Sequence, residues 1–373
     1  MTRQIRGDRR QFLTTAGLGA GLAAAGAAAG AFPAPAIAQE VRRLRMVTSW
    51  PKGAPGVGVN AERFARRLEL LSGGRIEVRF FAAGELVPPF EVLDTVSAGT
   101  AELAHSTPYY WAGKAQALHF FTGIPFGLTA PECAAWLTYG GGQELWDEVY
   151  EPFGVKAFYA GSSGTQAGGW FNKEINSLED LQGLRFRVAG LGGEVMRRLG
   201  VSPVLTPPGE IGAALASGAV DAVEWIGPWN DIAFGLHRMA RYYYMPGVLE
   251  PGPGLEIMIN RGVWDELPED LQEAVRSAAH ATAYETYADF LYHNTQSFQT
   301  LLAEEGVELR SFPDEVNRAM AEQVVAVLDD LSAGDPLFAK VRESHDDFLR
   351  KSLAYAPKAE EGLLVARSAA VRL

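Results

Sequence analysis

A single cysteine, Cys133, stands among 373 residues, so the chain can close no disulfide on itself. The six histidines, at positions 105, 119, 237, 280, 293 and 345, are scattered and make no zinc constellation with it. Cys133 reads as a small core residue on a helix, because no histidine-based motif accompanies it as a nucleophile would require. The sequence also has no Gly-x-Ser-x-Gly elbow, no His-Glu-x-x-His pair and no phosphate loop, which removes the commonest signatures of hydrolases, zinc proteases and nucleotide enzymes. Basic residues are in short supply: 33 Lys and Arg face 45 Asp and Glu. That balance argues against nucleic acid and anionic membranes as partners, since a basic face supplies most of the affinity for either. An acidic protein that binds a small anion has to do so with a local, buried cation.

Most of the amino-terminal segment reads as an address. Arg9-Arg10-Gln11-Phe12-Leu13 is a twin-arginine export pattern, followed by an Ala/Gly stretch from Ala16 to Ala31 and a small-residue cleavage site at Ala36-Ile37-Ala38. The stretch falls short of the ~20 apolar residues that span a bilayer, so cleavage near Gln39 and release into the periplasm are expected. Without residues 1–38 the chain keeps 29 basic and 44 acidic side chains. Gly17-Leu-Gly-Ala-Gly21 resembles a dinucleotide fingerprint only superficially, with no strand before it and no third spaced glycine.

About 335 remaining residues suggest two domains, not one enlarged core. The opening pattern reads strand 44–48, helix 57–72, strand 75–81, helix 90–99 and strand 101–105, an order that implies a mostly parallel sheet with helices on its faces. It restarts with strand 155–160, strand 170–171, a capping box at Ser177–Asp180, strand 184–188, helix 194–199, a turn at 200–203 and helix 210–217. The predicted class is therefore α/β, two lobes around a hinged cleft. The boundaries are 39–162 plus 250–290 for the first lobe, and 163–249 plus 291–373 for the second with its carboxyl-terminal helices. Residues 268–305 contain no Gly or Pro after Pro268, predicting a helix long enough to brace both lobes. Its aromatics Tyr284, Tyr287, Phe290, Tyr292 and Phe298 read as packing residues, as do Trp170 and Trp229, and Lys358–Gly362 as a solvated face. Further helices are expected from Asp314 onward.

Four places offer chemistry. Gly218-Ala-Val-Asp-Ala-Val-Glu-Trp225 is an apolar strand delivering Glu224 and an indole at its carboxyl end, where open α/β sheets bind ligands. Leu184-Arg-Phe-Arg187 puts both arginines on one face, with Arg187 nearest the strand end, and an arginine fork grips a carboxylate bidentately. The same arginine could instead pair structurally with Asp221 or Glu224. Gly161-Ser-Ser-Gly-Thr-Gln166 places an amide in a glycine-rich crossing, and Tyr242-Tyr-Tyr-Met-Pro-Gly-Val-Leu-Glu250 carries a second carboxylate toward the same lobe. A Gln oxygen, a Glu carboxylate and a backbone carbonyl together would suit Na⁺ or Ca²⁺.

Taken in order, Gly164-Thr-Gln-Ala-Gly-Gly-Trp-Phe171, Leu181-Gln-Gly-Leu-Arg-Phe-Arg187 and Ala222-Val-Glu-Trp-Ile-Gly-Pro-Trp-Asn-Asp231 resemble the solute-binding proteins of tripartite ATP-independent periplasmic (TRAP) transporters, DctP type. The likeness is to the branch for 2-oxo or 2-hydroxy monocarboxylates, and it extends from Thr48-Ser-Trp-Pro-Lys-Gly53 to Leu267-Pro-Glu-Asp-Leu-Gln272. The resemblance implies Arg187 as the carboxylate clamp, Gln166 as a contact to substrate and cation, and Glu224 as a cation ligand with the Trp225 carbonyl beside it. It adds Glu250 at a further position of the substrate and cation site, and Tyr109-Tyr110-Trp111 on the opposite wall, with Tyr110 as a substrate contact. Leu249 departs from the histidine that relatives often carry there. The implied protein is a receptor, not an enzyme, with a sodium or calcium ion and no organic cofactor. It would close on a pyruvate- or lactate-like acid, deliver it to a membrane permease and form a possible homodimer. A receptor for dicarboxylates or sugar acids, or an exported enzyme, are the rival readings.

Overall fold

The computed structural model describes residues 41–371; the twin-arginine leader lies outside the described residues. Two sheets organise the chain. The first has the order β2-β1-β3-β10-β4, from β1 (Arg42–Thr48), β2 (Ile76–Phe81), β3 (Leu103–Ser106), β4 (Val155–Ser162) and β10 (Gly254–Asn260). The second has the order β11-β9-β5-β8-β6-β7, from β5 (Gly169–Phe171), β6 (Arg185–Arg187), β7 (Ser202–Val204), β8 (Ala222–Val223), β9 (Tyr242–Tyr244) and β11 (Glu308–Arg310).

Neither sheet is uniformly parallel. β1 pairs in parallel with β2 and β3, as the strand-helix-strand pattern predicts, but β10 runs antiparallel between β3 and β4. In the second sheet β5 is the reversed strand, between β8 and β9. Both reversed strands begin where the chain has just crossed from the other sheet, so they enter from the cleft side and run against their neighbours. The expected turn at 200–203 includes the start of β7, the edge strand beside β6. β8 is only two residues long, although its pairing with β6 is extended by Asp221 N to Arg185 O (2.7 Å) and Glu224 N to Arg187 O (2.8 Å).

The helix Val57–Leu71 buries Val57, Ala61, Phe64, Ala65 and Leu68, the spacing of one helical face, against the first sheet. The capping box of Ser177 and Asp180 is present but starts a 3₁₀ turn, Leu178–Leu181. Glu269–Ala303 is one helix of 35 residues, preceded by the separate short helix Arg261–Glu266. Pro268 is its N-cap. It packs on β4, on helix Val57–Leu71 and on helix Pro228–Ala233, so it touches elements that flank both sheets. Of its aromatics Phe290 is fully buried, but Tyr284 and Tyr292 face solvent, which corrects their reading as packing residues. Cys133 is buried in helix Ala130–Tyr139, and burial pushes its thiol up to about 12.

Candidate functional site

The carboxyl ends of β6 and β8 bring Arg187 and Glu224 together. Both are 1% exposed, and Arg187 Nη1 donates to the Glu224 backbone carbonyl and, at 3.3 Å, to Glu224 Oε2. The Arg187 Nε and Nη2 atoms are buried without a partner. Asp221, the other candidate counter-ion, is engaged by exposed Arg185. The two arginines of one strand face thus part company: Arg185 opens the strand in solvent, while Arg187 closes it beneath the Trp225 ring, whose centroid is 5.2 Å from the guanidinium carbon. Trp225 therefore contributes its indole as well as its carbonyl.

Gln166 sits in the crossing from β4 to β5. Its backbone N–H donates to Glu250 O (3.0 Å), its carbonyl accepts from Gly247 N (2.8 Å), and Ala167 N donates to Ile226 O (3.0 Å), so three chain segments are tied at one point. Gly247 has to be glycine for this: a Cβ there would lie 2.6 Å from the Gln166 and Ala167 carbonyl oxygens. One polar end of the Gln166 amide meets Ser163 Oγ at 2.9 Å. The other lies 2.6 Å from Glu224 Oε1 and 2.7 Å from the Trp225 carbonyl. With nitrogen at that end, the amide donates to both. With oxygen there, three acceptors converge, and either a proton on Glu224 or a cation among them is needed to satisfy the set. Among the described residues no group of three or more His, Cys, Asp and Glu gathers to hold a metal; this cluster is instead an amide, a carboxylate and a carbonyl.

Hydrogen bonding favours the first state in the ligand-free chain, with the amide oxygen accepting from Ser163 Oγ, while the buried charge gives a cation a reason to enter. Arg187, Glu224 and Glu250 are all buried, so two carboxylates share one guanidinium. Burial drives the Glu224 and Glu250 carboxyls upward, and Arg187 opposes this in each. A buried excess of negative charge is relieved by protonation or by a cation. Glu250 Oε2 has no partner, and the side chain feels the charge of Glu224 and Arg187 without belonging to the three-oxygen cluster.

The facing wall comes from the first sheet. A cavity of ≈ 20 Å³ is lined by Trp50, Thr107, Tyr109, Tyr110, Ser163, Gln166 and Trp225, with Val57, Ile226, Pro253 and Leu255 completing it. That is room for about one water. The Tyr110 hydroxyl is buried without a partner, and burial raises both tyrosine hydroxyls, which also feel Glu224, Glu250 and Arg187. Trp111 does not join them: its indole donates to the buried Glu256 at 2.9 Å, inside the first sheet's core. Leu249 packs on Gly192 and is not among the lining residues. Trp50, Thr107 and Ser163 are lining residues that the residue-by-residue reading missed. The conspicuous Ser49-Trp50-Pro51 after β1 was the available signal for the first.

Tyr109 closes the cleft against Gly190, the first residue of helix Gly190–Arg198 on the other side. Gly190 is left-handed (φ 61°), and a Cβ there would stand 2.3 Å from the Tyr109 ring. Gly190→Ala is expected to hold the two walls apart and weaken ligand affinity by about 10–100-fold, the cost of a few kcal/mol of overpacking and strain. Adding Tyr109→Ala should restore part of the loss, measured by calorimetry of the single and double variants.

A family model described as DctP, bacterial extracellular solute-binding protein family 7, matches residues 46–335. The chain belongs to this family. It is 43% identical over 316 residues to a monocarboxylate 2-oxoacid-binding periplasmic protein of Nostoc sp., covering 84% of this chain and 85% of that one. Among solved family structures, a TRAP transporter solute-binding protein of Bordetella bronchiseptica superposes with a TM-score of 0.87 at 36% identity, covering 89% of this chain and 98% of that chain. That protein is a dimer carrying calcium and picolinate at its active site in mixed occupancy. A second, from Pseudoalteromonas atlantica, holds sodium and pyruvate, with a TM-score of 0.85 at 36% identity, 87% of this chain and 99% of that chain. The two-sheet α/β architecture described above is the fold of these TRAP receptors. Members of the family are solute-binding proteins. No helix among the described residues is long and apolar enough to cross a membrane.

Proposed function

We propose that this family 7 receptor works in the periplasm. There it captures a small 2-oxo or 2-hydroxy monocarboxylate of the pyruvate or lactate kind together with a cation, and presents it to a TRAP membrane permease for ion-gradient-driven uptake. The observation that carries the reading is the pair of unpartnered Arg187 nitrogens buried beside the Gln166 amide, the Glu224 carboxylate and the Trp225 carbonyl, with the amide able to turn its oxygen toward the other two. An Arg fork matches a carboxylate, and the three oxygens match a hard cation. The ligands of the Nostoc, Bordetella and Pseudoalteromonas relatives are of the same kinds. The cation would supply positive charge to the substrate's oxygens and to the buried carboxylates. Glu250 stands by as a further contact, and Tyr110 offers a hydroxyl from the opposite wall.

The mechanism is ligand-driven closure. The first lobe comprises residues 39–162 and 250–290 and the second the remainder, hinged at the crossings near 163 and 250 and along the brace helix. Closing brings Tyr109 onto Gly190 and removes water, which strengthens the Arg187–carboxylate interaction. The closed form is the one the permease receives. A second copy of the chain is a further partner, in line with the Bordetella dimer.

Thermal-shift and calorimetric titrations with pyruvate, lactate, succinate and glucuronate, each with sodium, with calcium and with chelator, test the assignment. Monocarboxylates should bind in the presence of a cation. Tighter binding of succinate or glucuronate would move the protein to another ligand class, and turnover of any acid would make it an enzyme.

A further inference from the structure

The loop 49–56 joins β1 to helix Val57–Leu71 and brings two lining residues to the cavity, Trp50 near its start and Val57 just past its end. Its start is fastened to its own sheet, where the Trp50 indole donates to His105 Nδ1 at 2.8 Å. The rest is held by elements of the other sheet. Gly209, after β7, lies against the Pro51 ring, close enough that a Cβ there would stand 3.6 Å from Pro51 Cγ. Asn230, in helix Pro228–Ala233 after β8, donates from Nδ2 to the Pro55 carbonyl at 2.9 Å. The same carbonyl accepts from Val57 N at 2.8 Å, so one oxygen links the opposite wall to a lining residue.

Asn230 is fully buried, and its Oδ1 has no partner. Among the described residues the bond to Pro55 is the only one its side chain makes. That bond fixes the amide, since only its nitrogen can face an acceptor. An unpaired buried amide oxygen is unfavourable, and a leucine of similar size would fill the space without that penalty. The helix itself is anchored by a different residue: Trp229 N donates to Asn294 Oδ1 at 3.0 Å, and the Trp229 ring stacks on His293 with 4.2 Å between centroids, both partners lying on the brace helix. Asn230 thus does nothing for its own helix. Its one bond crosses the cleft.

We propose that Asn230 is a positioning residue for ligand retention: its amide clasps the loop at Pro55 when the lobes close, and through that loop it holds Trp50 and Val57 over the bound acid. This rests on the hinge closure of the proposed function and adds to it a residue that touches no ligand. In the open receptor Asn230 and Pro55 face water and the bond is absent, so capture proceeds without it. Release has to break it. Asn230 therefore acts on the dissociation rate, where most affinity differences between related complexes arise.

Stopped-flow tryptophan fluorescence of the exported protein with pyruvate and calcium tests this. Asn230→Leu removes the donor and keeps the volume. It should raise the dissociation rate about 3–10-fold, the worth of one neutral hydrogen bond, and leave the association rate within about twofold. The ligand-free melting temperature should not fall, because the open form loses no bond. Hydrogen exchange should show residues 50–59 protected by ligand in the wild type and less so in the variant. Asn230→Ala also lacks the donor and should give the same split of rates, which covers the case of a leucine that fits badly. An unchanged dissociation rate in both variants, an association rate that falls as far as the dissociation rate rises, or ligand protection of 50–59 equal to wild type would overturn the proposal. If succinate or glucuronate proves to be the ligand, that acid replaces pyruvate in the same experiment, so an error in the proposed ligand and an error in the clasp are told apart.

Discussion

Arg187→Ala should abolish measurable binding of monocarboxylates while leaving a folded protein. Two unpartnered guanidinium nitrogens are available to a ligand carboxylate. Charge-assisted hydrogen bonds are worth about 1.5–3 kcal/mol each, so losing two weakens binding by about 10²–10⁴-fold. Arg187→Lys should recover only part of this, because an ammonium restores the charge without the fork. The same substitution strips Glu224 of its guanidinium, and an ionised carboxylate left buried alone costs about 3–5 kcal/mol. Protonation relieves that cost, so the variant's melting temperature should fall most at high pH and little near pH 5. Unchanged pyruvate affinity in a calorimeter would rule out Arg187 as the clamp. A variant unfolded even at pH 5 would assign the residue to the core, and Arg187→Lys then decides between the two roles.

Much of the architecture was legible because it rests on local signals. The face of Val57–Leu71, the glycine stop at Gly218 and the absence of Gly and Pro after Pro268 are properties of single segments, and each element formed close to where those residues place it. The reversed strands β5 and β10 were not legible, because their direction depends on where the chain re-enters a sheet after a crossing. Site chemistry followed the same division. Residues at strand ends, Arg187 and Glu224, could be found from alternation and position alone, and the structure brings them together with Gln166, Trp225 and Tyr110. Trp111 and Leu249 could not be placed, since a side chain's choice between core and cleft depends on neighbours far away in sequence: Glu256 in one case and Gly192 in the other. The two exposed tyrosines of the brace helix were misread for a related reason. Its helical pattern says that one face is buried, but only the rest of the molecule decides how much of the remainder is covered.

Ligand-free protein should lose stability as pH rises from about 5 to about 8, and ligand with cation should bind more tightly over the same interval. Four buried carboxyls set this: Glu224 and Glu250 beside Arg187, Asp231, pushed up to about 7 by burial and held by Trp170, and Glu256 in the first sheet's core, pushed up to about 8 by burial with Trp111 and Tyr150 as donors. Each titrates higher in the folded chain than the ~4.3 of an unfolded glutamate or the still lower value of an unfolded aspartate, so between those values the folded state binds more protons and stability falls with pH, by about 1.4 kcal/mol per unit for each proton. Glu256→Gln should remove its share of the decline without altering ligand affinity. Glu224→Gln should remove a share and also weaken cation-dependent binding. The buried charges predict a further difference between the two ions. With Arg187 positive, Glu224 and Glu250 ionised, a monocarboxylate bound and Asp231 protonated, as its raised pKa of about 7 favours near pH 6, the set carries a net charge of minus two. Calcium balances that set completely, whereas sodium leaves one negative charge, which favours retention of one proton. Binding near pH 6 should therefore release more protons with calcium than with sodium, by up to about one per site. Calorimetry in buffers of different ionisation enthalpy reads this count directly. Equal proton release with both ions would mean that Glu224 and Glu250 do not share one buried charge balance with the ligand.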